Sequence, residues 1–177
     1  LQTGTTALVS VKPDGSDSGN GASSSASVSA DGKAVCFQSL ATDLVAGISD
    51  PNKANDVFLR DLITGSTKLV SVAQSGASAG NRESSLPLVS PDGRYVAFSS
   101  SASDLGAGGL MGSARLYLRD VAVQKTTLLP PDENRGQGLF AFSADSRWLV
   151  YQPSMFSRVF AVDLVAQTNL LVCTNCT

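Results

Sequence analysis

Slid along itself by 61 positions, the sequence nearly superimposes. TGTTALVSV (3–11) falls on TGSTKLVSV (64–72), Gly19-Asn20 on Gly80-Asn81, and Asp31-Gly32 on Asp92-Gly93, with Phe37 meeting Phe98. NDVFLRDL (55–62) corresponds to ARLYLRDV (114–121), two positions out of step, and the difference lies in the loop before it. Loops are where such length changes are tolerated. A more diverged third copy follows: FAFSADSRWLVYQ (140–152), with Asp145-Ser146 in place of Asp-Gly, then RVFAVDL (158–164) and QTNLLVC (167–173). A unit of this length is one supersecondary element that buries its faces only against neighbouring copies. The chain is therefore confined to an array or a ring.

Each copy reads as four short strands. Strand a is SASVS, PLVS or FAFS; strand b is AVCFQS, YVAFSS or WLVYQ. Asp-Gly between them is a hairpin signal, because Gly accepts positive φ. A long loop leads to strand c (DVFLRD, RLYLRD, RVFAVD), and a polar turn leads to strand d (TKLVSV, TTLLP, TNLLV). Strand c alternates with period two and is rich in β-branched and aromatic residues. Four-stranded units at this spacing predict an all-β chain of β-propeller blades. Three four-stranded antiparallel blades are expected, at 22–72, 83–129 and 138–173, forming a partial propeller or half-ring within a single segment, 1–177. Residues 5–11 read as the outer strand of a preceding blade.

The blocks S-x-DG-[KR]-x-V-x-F-x-S and D-V-F-L-R-D-L-x-T-G-x-T-x-L-V-S-V resemble the TolB-like (WD-like) bacterial β-propeller repeats. The resemblance spans nearly the whole chain and is weaker in the third copy, which lacks the hairpin Gly and the Arg-Asp pair. It implies a periplasmic or extracellular location and a ring of six or more blades. Three blades are then a piece of a longer propeller, or half of a ring that a second copy completes head to tail. The duplicate outer strand argues against the second arrangement, since 5–11 and 168–173 would compete for one sheet edge.

Composition narrows the chemistry. The chain contains no His, which removes the commonest general base and the Ser-His-Asp triad. Gly76-Ala77-Ser78-Ala79-Gly80 matches G-x-S-x-G, but it sits in an inter-blade loop without the following helix that a nucleophile elbow needs. Asp31, Asp92 and Asp145, and likewise Asp61, Asp120 and Asp163, recur in every copy and so are expected to serve the blade through turn bonds. Arg60 and Arg119 are expected to pair across blades, and Asn20, Asn81 and Asn134 to hold turns. DENR (132–135) reads as a solvated loop. Net charge is −2 and no basic stripe exists, which disfavours nucleic acid. No apolar run approaches a membrane-spanning helix. No signal peptide is visible, yet the chain opens at Leu1 rather than Met, so export is not excluded.

Cys36 alternates within strand b and is expected in the core. Cys173 and Cys176 form a lone C-x-x-C that is compatible with free thiols, a short-loop disulfide or a metal site. Asn175-Cys176-Thr177 fits a glycosylation sequon. Trp148 reads as core, so no exposed stacking platform for carbohydrate is expected. The densest cluster of hard oxygen donors is Asp50, Asn52, Asn55 and Asp56, ahead of the first strand c. Calcium favours such donors, and the loop resembles the D-T-N-G-x-x-D-V-F loops of the same repeats. Pro51 and Lys53 depart from that pattern, and the other two copies lack the cluster. The alternative is a self-bonded turn.

The expected function is a non-catalytic module for protein or ligand interaction in the cell envelope, using the channel mouth or the long loops at 40–55 and 101–114. The alternatives are the propeller portion of a prolyl-oligopeptidase-like hydrolase and a carbohydrate-active protein.

Overall fold

The computed structural model describes residue 4 and residues 6–106, 113–130, 138–153 and 158–173. Among these there are twelve strands and no helix. The strands are β1 (Ser23–Val28), β2 (Ala34–Ser39), β3 (Asp56–Asp61), β4 (Thr67–Leu69), β5 (Ser84–Val89), β6 (Tyr95–Ser100), β7 (Arg115–Asp120), β8 (Lys125–Leu128), β9 (Gly138–Phe142), β10 (Trp148–Pro153), β11 (Val159–Asp163) and β12 (Thr168–Cys173). They form three separate antiparallel meanders, β1-β2-β3-β4, β5-β6-β7-β8 and β9-β10-β11-β12. These are the three four-stranded blades that the repeat predicts.

Inside each blade the register sets one aromatic pair face to face. Phe37 opposes Phe58, Phe98 opposes Tyr117 and Tyr151 opposes Phe160. Their rings stack at centroid distances of 5.8, 5.7 and 5.4 Å. Such pairs contribute about 0.5–1.5 kcal/mol beyond their burial. The period-two alternation sends the next residues to the opposite face, where small or aliphatic side chains stand: Cys36, Val57 and Leu59 in the first blade, Ala97, Leu116 and Leu118 in the second. Blades pack aromatic face on aliphatic face. Cys36, Val57, Leu59 and Val70 share one cluster with Val96, Phe98 and Tyr117. Ala97, Leu116 and Leu118 share another with Leu149, Tyr151 and Phe160.

Among the described residues no blade packs on the first blade's aromatic face. Phe37, Phe58 and Leu69 are covered there by Ala41, Leu44, Val72 and Ala79, with Val9, Val45 and Ile48 packed alongside. Val9 occupies in the repeat the place of Val70, which packs against the second blade. Within 6–11 the structure has no extended strand. Val11 makes an isolated bridge to Ser18, as Val72 does to Ala79.

Two differences from the sequence expectation have physical causes. Strand a begins earlier than the apolar pattern, at Ser23 and Ser84, because hydroxyl pairs fasten its polar end: Ser23 Oγ–H donates to Ser39 Oγ at 2.9 Å and Ser84 Oγ–H to Ser100 Oγ at 2.8 Å. Strand d of the first blade ends earlier, at Leu69, because the amides of Val70 and Ser71 both turn to the Val57 carbonyl.

The turn between strands c and d requires a left-handed residue. Gly65 fills it in the first blade, at φ 67°, whereas Gln124 and Gln167 hold the same place at 56° and 55°. A side chain there is strained. Replacing exposed Gln167 with Gly is expected to stabilise the fold by about 0.5–1 kcal/mol, and Gly65→Ala to destabilise it by a similar amount. Urea denaturation of each variant checks this, and equal midpoints for all three proteins would contradict it.

Candidate functional site

The loop ahead of β3 is the one place where the three blades differ in length, and it carries Asp50, Asn52, Asn55 and Asp56. The structure separates these residues. Asp50 Oδ1 accepts the Lys53 amide at 2.9 Å, closing a turn in which Lys53 sits at φ 52°. Asn52 Oδ1 accepts the Ala54 amide, and its Nδ2 donates to the carbonyl of Gly80, in the linker to the second blade. Asn55 Nδ2 donates to Glu83 Oε1 at 3.3 Å, while its carbonyl accepts the Ser84 amide at 2.7 Å. A short parallel bridge, Ser49 to Ser78, ties the same loop to the same linker. Asn52 and Asn55 therefore clamp one blade to the next.

Asp50 and Asp56 do share a small pocket, of about 10 Å³, with the Thr42 side chain and a mostly apolar wall that includes Leu44, Ile48 and Phe58. Asp56 is 2 % exposed. Its Oδ1 accepts the Ser71 hydroxyl at 2.6 Å, and Ser71 Oγ in turn accepts the Val57 amide at 3.0 Å. Burial pushes the Asp56 carboxyl up to about 7; the fields of Asp50 and Asp104 add to this and the Ser71 hydrogen bond opposes it. Calcium takes six to eight oxygens. Two carboxylates and a hydroxyl against an apolar wall fall short of that set. Among the described residues no group of three or more His, Cys, Asp or Glu side chains is placed to hold a metal.

The remaining recurrent polar residues are engaged by the blades. In each hairpin a serine hydroxyl donates to the aspartate two residues on: Ser29 to Asp31 at 2.7 Å, Ser90 to Asp92 and Ser143 to Asp145, both at 2.5 Å. The same serine oxygen accepts an amide of the returning strand, at Ala34, Tyr95 and Trp148. Ser29 is the chief cause that holds Asp31 down to about 2. Ser146, at φ 60°, replaces the hairpin Gly and uses its hydroxyl to accept the Asp92 amide across the blade interface. Asp61, Asp120 and Asp163 each cap the following turn through two amides.

The expected cross-blade pairing of Arg60 and Arg119 is corrected by the structure. Each donates from Nη1 to a threonine of strand d in its own blade, Thr67 at 3.0 Å and Thr126 at 2.9 Å. The strand direction explains this, because adjacent residues point to opposite faces. Asp120 and Asp163 are instead gripped by Arg94 and Arg147, at 2.8 and 2.7 Å. Those arginines also lie over Tyr95 and Trp148, at 4.9 and 5.5 Å from the ring centroids. Trp148 is accordingly half-buried beneath Arg147 rather than a core residue.

Asn20 and Asn81 hold turns as expected, each through a reciprocal pair with the loop after strand b. Gly21 lies so close to the Leu40–Ala41 backbone that a Cβ would sit 2.4 Å from the Leu40 carbonyl carbon. Cys36 is buried with a free thiol that burial pushes up to about 11, which leaves it protonated and unreactive at neutral pH. Ser78 sits in the bridge to Ser49 and serves the linker. Asn134, the DENR segment, the 154–157 loop and Cys176 lie outside the described residues, as do the side chain of Cys173 and the sequon.

What sequence reading did not find is an outer-rim groove between the first two blades. Two adjoining recesses, of about 600 and 260 Å³, open between β4 and β8 and share Arg119. Lys68 lines the smaller one and also borders a neighbouring recess of about 450 Å³ together with Asp31, Asp61 and Asp92, while Lys125 stands opposite Asp120, on the face of its blade away from Arg119. The signal was unreadable in the chain because Lys68 and Arg119 belong to different blades.

Three stacked meanders with one repeated aromatic pair define a β-propeller segment. Comparison with solved structures agrees. The fold is similar to TolB from Acinetobacter baumannii (TM-score 0.53, 15% identity, covering 88% of this chain and 33% of that one). It is also similar to a putative TolB from Agrobacterium tumefaciens (TM-score 0.52, 16% identity, 86% and 49%). A structure described in an analysis of two prolyl endopeptidases matches as well (TM-score 0.54, 15% identity, 94% and 24%). The chain thus spans from about a quarter to a half of these proteins. No protein-family model and no curated protein matches the sequence. At such identities the shared property is the fold, a TolB-like propeller architecture.

Asp56 sets a pH dependence. Its native carboxyl holds a proton up to about 7, whereas the unfolded chain releases it near 3.8. Between those values the unfolded state binds fewer protons, so this group makes stability fall as pH rises from about 4 to 7. Asp56→Asn is expected to remove that slope while keeping an acceptor for Ser71. Melting temperatures across this range check it; an unchanged slope in the variant would refute it. Gly21→Ala is expected to cost about 2 kcal/mol or more through backbone overlap, measurable by the same denaturation.

Proposed function

We propose that this chain is part of a non-catalytic propeller module that binds a protein or small ligand in the cell envelope, in the periplasm or outside the cell. One observation carries the reading: the recurrent aspartates, serines and asparagines within the described residues are engaged in turns, hairpin braces and blade clamps. What remains for function is the exposed surface of loops and inter-blade grooves. The location rests on the sequence resemblance to TolB-like repeats. Affinity capture of envelope proteins on the purified full-length protein, with crosslinking, tests the reading. A specific, saturable partner supports it. Turnover of a substrate by the purified full-length protein would overturn it.

A second reading, the propeller portion of a hydrolase, draws on the fold match with the prolyl endopeptidase structure, which covers 94% of this chain. Flanking sequence carrying Ser, Asp and His in hydrolase order would favour it.

The third blade's far face also belongs to the proposed assembly. Val150, Ala161 and Leu170 stand side by side across β10, β11 and β12, with Leu139 on the same face. Leu139 is 75% exposed and Leu170 51%, while Ala97 and Cys36, the counterparts of Val150 in the other blades, are fully buried under the next blade. This face is the seat for a further blade, supplied by a longer chain or by a second copy that completes a ring. Native mass spectrometry of the purified 177-residue chain separates these: a dimer supports the second copy, and a monomer at every concentration excludes it.

A further inference from the structure

We infer that the third blade opens from the second as a unit, while the first two blades stay stacked. The two seams bury apolar clusters of similar size, so the difference lies in the hydrogen bonds along their inner edges. Between the first and second blades three such bonds cross. The Ala30 amide donates to the Pro91 carbonyl at 2.9 Å, the Leu86 amide to Gln38 Oε1 at 3.0 Å and the Val89 amide to Ser27 Oγ at 3.3 Å. The 61-residue repeat shows what stands at the same places one blade further on. Pro91 replaces Ala30 and has no amide to donate. Ser99 replaces Gln38 and is too short to reach across. Leu88 replaces Ser27 and has no side-chain acceptor. Each substitution removes the group that made the bond.

The backbone of the third blade matches this loss. β1 and β5 each carry a bulge with a left-handed residue, Ser25 at φ 53° and Leu86 at φ 54°, and in β5 the bulge turns the Leu86 amide towards Gln38. β9 pairs with β10 without a shift in register, so it lacks the bulge that presents this amide. Ser99 is fully buried on the face it shares with Ala97, towards the third blade, and its hydroxyl has no hydrogen-bond partner. A buried hydroxyl without a partner favours any state that returns it to water. Among the described residues one bond crosses the inner edge of this seam, from the Asp92 amide to Ser146 Oγ at 2.9 Å. The Tyr151 hydroxyl donates to the Pro130 carbonyl, which ties the third blade to the chain leaving β8 rather than to the second sheet. In a linear array each unit is held by its own stability and by its interfaces, so the weakest interface decides where the array parts. Parting here uncovers Ala97, Leu118, Tyr151 and Phe160.

Native-state amide hydrogen exchange of the full 177-residue chain tests this, read by mass spectrometry on peptides from the central strands of each blade. β10 and β11 are expected to exchange about tenfold or more faster than β2, β3, β6 and β7. Ser146→Ala keeps the Cβ and deletes the bond to Asp92. It is expected to raise exchange about three- to tenfold in the third blade and to leave the first two unchanged. The double variant P91A/L88S returns an amide and a hydroxyl to the second seam. It is expected to narrow the gap between β10–β11 and β6–β7 within the same protein. Equal exchange in all three blades would overturn the proposal, as would β2 and β3 exchanging as fast as β10 and β11, which is fraying at both ends. A gap that P91A/L88S leaves unchanged would also overturn it, because the gap would then belong to the chain end rather than to the seam.

Discussion

Face-to-face burial between successive sheets is the constraint on which the rest depends. A four-stranded meander has two faces, and neither can be buried by the meander itself. Here one face carries a stacked aromatic pair and the other carries Cys36 or Ala97 with aliphatic neighbours. The bulky face of each blade fits the small-residue face of the one before it. This asymmetry gives the stack a direction. It also accounts for both ends of the segment. The first aromatic face is covered by its own loops and Val9, and on the last aliphatic face Leu139, Val150 and Leu170 are exposed.

Around that packing, hydrogen bonds that recur with the repeat fix the blades' edges. The Ser-x-Asp hairpin brace appears three times with nearly equal distances. Cross-blade bonds then set the rotation between sheets: the Ala30 amide to the Pro91 carbonyl, the Leu86 amide to Gln38, the Asp92 amide to Ser146. Substitutions in the diverged third blade follow the same logic. Ser146 tolerates a left-handed backbone because its hydroxyl gains an inter-blade bond that Gly would lack. The long loop at 40–55 belongs to this layer too, since its asparagines hold the linker rather than converge with the aspartates.

Charge is distributed by the same geometry. Arginines that follow the hairpin aspartate reach across to the aspartate ending strand c and lie over an aromatic ring. Arg119, within strand c, points to the other face, where the rim between the first two blades opens. Arg94 and Arg119 therefore differ in surroundings, although the second precedes an aspartate that the first one binds. Sequence adjacency in a strand means opposite faces, and that alone separates an ion-paired arginine from one that lines a groove.

The sequence by itself determined the architecture. The 61-residue offset, the Asp-Gly hairpins and the alternation in strand c locate all three blades and ten or more strand positions to within a few residues. These signals are local: turn chemistry and period-two patterning depend on neighbours along the chain. It also located the turn aspartates, because a residue repeated in every blade serves the blade. Tertiary structure alone decided what the polar clusters do. Asp50, Asn52, Asn55 and Asp56 lie close together in the chain, yet the two asparagines turn to the segment leading into the second blade and the two aspartates to a pocket of the first blade. Lys68 and Arg119 belong to different blades, yet they line one recess, because blade stacking brings the rims of two sheets together.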